Sequence, residues 1–81
     1  MKICIVEWKD SRSFGGWRFR GDIINETPCS VVSIGVLIAS RPAEIVLAAH
    51  SADKDVDGVM IIPRICVKRI RQLHIKGRGI E

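Results

Sequence analysis

The sequence predicts an all-β domain, a small and strongly bent five-stranded antiparallel barrel. Three observations carry this. Apolar, β-branched runs of strand length recur five times, separated by clusters of Gly, Pro, Asp and Ser. The longest run, Cys29–Ser40 (CSVVSIGVLIAS), holds Gly35 at its centre, where a glycine signals a bulge or sharp bend. The run over 56–62 stops at Pro63, and strand-like sequence resumes at Cys66. A proline cannot donate to a ladder and so marks a strand end. A strand, a one-turn corner and a last strand are enough to close a small barrel.

Each element follows from its pattern. Residues 2–8 (KICIVEW) are short and β-branched, and the spacing places Cys4, Val6 and Trp8 on one face with Ile3, Ile5 and Glu7 on the other. Glu7 makes the first of these the core side. Residues 9–28 have no sustained period; Asp10, Ser11, Ser13, Gly15 and Gly16 mark a loop. Residues 22–26 suit a helical turn or a short strand equally, and Thr27-Pro28 ends that stretch. A connection this long is often functional or packed down by its own side chains. In Cys29–Ser40, Val32, Ile34, Val36 and Ile38 share one face, and Cys29, Val31, Ser33, Gly35 and Leu37 share the other. Both faces are apolar, so the outer one needs partial cover. Residues 43–51 form the third strand; Pro42 followed by Ala-Glu would also start a helix, but the Ile-Val pair and the short length favour a strand. A polar loop over 52–58, strands over 56–62 and 66–73, and a flexible basic tail over 75–81 complete one domain spanning 1–74.

A chain of 81 residues makes a single, marginal core. Its hydrophobic content of 47% and mean hydropathy of +0.17 are high for so small a surface, which favours self-association over disorder. Cys4, Cys29 and Cys66 are odd in number and far apart, without metal-ligand spacing. Set in apolar runs, they read as reduced core fillers of a cytoplasmic protein. No signal-peptide core and no membrane-spanning run is evident. The net charge of +4 is unevenly spread. Arg64, Lys68, Arg69, Arg71, Lys76 and Arg78 crowd the C-terminal part, with Glu81 as its one acid. Such a cluster suits nucleic acid or an anionic surface, though charge runs as often simply face water.

The sequence argues against an enzyme. Asp53, Asp55, Asp57 and Gly58 match the first half of a calcium loop, but the twelfth position is Arg64 rather than a bidentate glutamate. His50, Ser51 and Asp53 are too crowded in sequence to form a nucleophile, base and orienter. Cys66 has Arg64 and Lys68 nearby, yet it lies in an apolar strand where cysteines are usually inert. The glycine pairs lack the strand and helix of a phosphate loop. No cofactor or metal is expected. The aromatic residues are more suggestive: Trp8, Phe14, Trp17 and Phe19 are interleaved with Arg12, Arg18 and Arg20. Trp8 and Trp17 are the candidates for stacking bases or gripping a protein, against the plainer reading that both pin the loop to the core.

The bent strand with its glycine (Ser33-Ile34-Gly35-Val36-Leu37), the following Ile45-Val46-Leu47-Ala48, and the segment from Gly58 to Ile70 with its Ile-Pro-Arg corner resemble the Sm-like (LSm and Hfq-type) branch of the SH3-like barrels. The opening Val6-Glu7-Trp8-Lys9-Asp10-Ser11 followed by Gly16-Trp17 is similar to small bacteriophage proteins of that type. The chain departs from the family pattern in lacking Asp-x-x-Asn after the glycine strand, and in carrying Pro63-Arg64 where the family has Arg-Gly. The resemblance implies a homo-oligomeric ring closed by pairing the fourth strand of one subunit with the fifth of the next. It also implies a pore lined by the second-to-third and fourth-to-fifth connections, which binds single-stranded RNA. Those connections hold Arg41 and Arg64, and the last strand adds Lys68, Arg69 and Arg71. The alternative is an SH3-like adaptor, or a phage accessory protein, that binds another protein through its tryptophan-rich loop.

Overall fold

A computed structural model of the chain describes residues 1–74. It contains five antiparallel strands in one open sheet and almost no helix. The strands are β1 (Ile3–Asp10), β2 (Cys29–Ser40), β3 (Glu44–Ser51), β4 (Val56–Pro63) and β5 (Val67–Leu73), in the order β4-β3-β2-β1-β5. Of the stretch 22–26, which suited a helical turn or a short strand, Asp22 and Ile23 close a single helical turn, α1 (Arg20–Ile23), and no strand forms there. Its apolar residues are too few to dictate a period, and local hydrogen bonds from Asp22 to the Phe19 carbonyl and from Ile24 to the Arg20 carbonyl decide it. A 3-10 turn over Arg64–Cys66 joins β4 to β5, as the proline corner implied. The 75–81 tail expected from the sequence lies outside the described residues.

The alternation of side chains builds the core. Cys4 and Val6 of β1, Ile45 and Leu47 of β3, and Ile62 of β4 are buried together, with Trp8, Leu37, Val67 and Ile70 packed against them. Cross-strand register puts Val6 between Ser33 on β2 and Ile70 on β5, so these three share the inner face. The sheet curls: Ser33 Oγ lies 3.6 Å from the Met60 sulfur, although β3 separates their strands. Of the three cysteines, Cys4 is buried, Cys66 half-buried and Cys29 exposed. Cys29 is therefore no core filler; it opens β2 opposite Asp10, at the end of the sheet beyond the core.

Gly35 does not sit at a bulge. The register slips three residues later, where Leu37 pairs with Leu47 and Ala39 with Val46, leaving Ile38 as the extra residue. Gly35 meets a different need. A Cβ there would lie 2.8 Å from the Ala48 carbonyl oxygen and 3.3 Å from the Leu47 Cβ. Backbone approaches backbone, and only a residue without a side chain fits. A second slip, between Glu7 and Trp8, leaves Lys68 as the extra residue of β5.

The edges and the outer face are unusually apolar. In β4 only Ile62 is buried, while Val56, Val59, Met60 and Ile61 are exposed. On β2, Val32 and Ile34 are both more than 60% exposed. The register places Ile34 opposite Ile5, and Ile61 opposite Val46. This is the outer apolar face that the sequence predicted, and among the described residues no further strand covers β4 or β5. No helix among the described residues is long and apolar enough to cross a membrane.

Candidate functional site

The β2–β3 connection is short because Arg41-Pro42-Ala43 turns tightly, with the Arg41 amide donating to the Glu44 carbonyl at 2.9 Å. The chain leaving β4 returns to the same corner. The Arg64 amide donates to the Ala43 carbonyl at 2.9 Å. Its side chain then forks: Nε donates to the Arg41 carbonyl at 2.8 Å and Nη2 to Ser40 Oγ at 2.6 Å. A guanidinium can do this because it presents several donors in one rigid plane. Arg41 lies beside it, with Nε 2.8 Å from Glu44 Oε1. That ion pair is half exposed, so it orients Arg41 more than it stabilises the fold. The two arginines assigned to a pore by resemblance are thus seated at one corner. Glu44, Ser40 and the Arg41 carbonyl, which hold them, were not legible as partners. The Arg64 contacts span 23 and 24 residues and carry no local sequence signal.

The other cationic candidates form a second group on β5. Arg69 stands opposite Glu7, with Nε 3.9 Å from its carboxylate, and Arg71 stands opposite Ile5. Alternation turns both to the outer face, while Ile70 between them turns inward. Lys68, displaced by the bulge, joins Glu7 and Arg69 around a shallow cleft of about 270 Å³. Arg41 and Arg64 are therefore in contact. Lys68, Arg69 and Arg71 follow along an edge strand that begins where the Arg64 turn ends.

The two tryptophans part company. Trp8 is half-buried on the core face, and its indole N–H donates to Ser33 Oγ at 3.0 Å. Its place is that of a packing residue with a satisfied donor. Trp17 is fully exposed, at 104%, and Phe19 is 83% exposed. With Arg18 and Asp22 they line an open cleft of about 390 Å³. The base of this loop is tied down: Arg12 Nη1 pairs with Glu26 at 3.0 Å, and the Arg12 guanidinium lies 5.0 Å from the centre of the Phe14 ring. Arg18 approaches the same ring at 5.9 Å. The loop is thus organised around Phe14, and its two outermost aromatics contribute nothing to the core.

Comparison of the chain with protein-family models, curated proteins and solved structures finds no match.

Proposed function

We propose that the chain is a subunit of an Sm-like ring, built on an SH3-like barrel, that binds single-stranded RNA without catalysing a reaction. The observation that carries the reading is the meeting of the β2–β3 and β4–β5 connections at one corner, where Arg64 is seated on the Arg41 carbonyl and both side chains remain exposed to solvent. Closed rotational symmetry would bring one such corner from every subunit around a common axis. Two open sheet edges support the assembly, because β4 and β5 are the terminal strands and β4 exposes apolar side chains. An edge of this kind favours pairing with another strand. The RNA contact would be phosphate neutralisation by Arg41 and Arg64, extended by Lys68, Arg69 and Arg71.

Light scattering of the purified chain, alone and with a short oligouridine at two salt concentrations, tests this. The expected mass is a multiple of the 9.0 kDa subunit, with RNA affinity that falls steeply as salt rises. Replacing Arg41 by alanine should weaken binding and lower the salt slope by about 0.7, the share of one phosphate contact on a single strand. Arg41→Ala keeps the carbonyl on which Arg64 sits. A 9.0 kDa particle that ignores oligouridine would overturn both the ring and its ligand.

A further inference from the structure

The loop between β1 and β2 holds the least explained surface of the molecule. From residue 11 to residue 22 it carries three arginines (Arg12, Arg18, Arg20) and three aromatics (Phe14, Trp17, Phe19) against one acid, Asp22, which lines the same cleft. Trp17-Arg18-Phe19-Arg20 alternates ring and cation. A loop that merely packed would bury its largest apolar side chain. Here Trp17 and Phe19 are the most exposed aromatics among the described residues, while Phe14, with the Arg12 and Arg18 guanidiniums close to its ring, is more sheltered.

The loop is also organised before any ligand arrives. Arg12 bridges its two arms through Glu26 and the Thr27 carbonyl, at 3.0 and 3.4 Å. The Arg18 Nε–H donates to the Gly15 carbonyl at 3.2 Å, which fixes the turn before Trp17. Gly16 takes φ +73 in that turn, a backbone conformation that costs other residues energy. The helical turn α1 then sets Phe19 at its start and Arg20 within it.

We infer that Trp17 and Phe19 form a stacking arm for unpaired bases of single-stranded RNA, with Arg18 and Arg20 neutralising the flanking phosphates. Flat, exposed rings alternating with cations are what a single strand needs, since every base offers a face and every linkage a charge. The arm is carried on the loop that leads into β2 at Cys29, and the arginine corner lies at the other end of β2, at Ser40. It is a separate contact, and it deepens the RNA-binding reading without requiring the ring.

The test uses the full chain and a fluorescein-labelled oligouridine. Trp17→Ala should weaken binding about 5- to 150-fold, the usual worth of one stacked base. Because stacking is not ionic, the loss should be the same at low and high salt, with the slope unchanged. Trp17→Phe should restore most of the affinity while removing the tryptophan quenching that oligouridine causes in the parent. Arg18→Ala combined with Arg20→Ala should instead lower the salt slope by about 1.4, two phosphate contacts. In the Arg41→Ala variant the quenching should persist, which separates the arm from the corner. Binding that is lost in Trp17→Ala but unaltered in Arg41→Ala keeps the arm and removes the corner. Unchanged oligouridine affinity in Trp17→Ala overturns the arm. So does a Trp17 requirement seen only with phosphatidylserine-containing vesicles or with a protein ligand, and so does quenching that vanishes in Arg41→Ala.

Discussion

Gly35 and Gly58 carry more of the fold than their size suggests. A methyl group at position 35 would fall 2.8 Å from a backbone oxygen that cannot swing aside. Gly35→Ala should therefore cost about 1–3 kcal/mol, the usual penalty for forcing atoms into a packed site. It would be read as a lower urea midpoint with an unchanged slope. Gly58 is more constrained, because it combines φ +65 with a Cβ position 2.8 Å from the Ala49 methyl. Gly58→Ala should destabilise at least as much as Gly35→Ala. At this scale the sequence was legible as punctuation only. Gly35 announced something unusual in mid-strand, but a bulge and a close approach of two backbones leave the same mark in one dimension. Arg64 is a harder case. Nothing around it in sequence says that its fork closes on residues 40 and 41, because that contact exists only once the sheet has curled.

The strands themselves were written plainly. β2 begins at Cys29 and ends at Ser40 as its β-branched run does, and the proline corner lies between β4 and β5. The inner face of β1 follows from simple alternation, with Glu7 outside and Val6 inside. The 9–28 connection was less legible, since a four-residue helical turn has no periodicity to detect and is set by its own hydrogen bonds. Strand β4 makes the sharpest statement about assembly. Ile61 is 61% exposed on an edge strand, opposite the buried Val46. Ile61→Lys adds a charge of the kind that natural edges use to prevent strand pairing. In a ring sealed by β4, this variant should fall to subunit mass by light scattering while keeping its far-ultraviolet dichroism. An unchanged large particle would place the contact on another surface.

The size of the molecule sets the terms for everything above. Among the described residues, a cluster of five buried side chains with four partly buried ones packed against it makes a small core, and much apolar surface is left outside it. Burying about 25 cal/mol for each square ångström of that surface between subunits would supply what a lone domain of this length lacks. Stability would then belong to the assembly. The midpoint of thermal unfolding should rise as protein concentration is raised, because mass action favours the associated folded form. A midpoint that does not move across a wide concentration range would mean that each chain stands on its own core.

β2 runs from the foot of the loop that carries the arm to the arginine corner. At about 3.3 Å per residue its 12 residues span at most about 40 Å, and the curl of the sheet shortens that reach. The foot of the loop that carries the arm and the arginine corner are therefore held one strand apart. A ligand long enough to reach from one to the other meets its second contact at high effective concentration, whereas a shorter one has to find each afresh. Discrimination between short and long strands then needs no reading of bases. It follows from the spacing of two contacts along one chain.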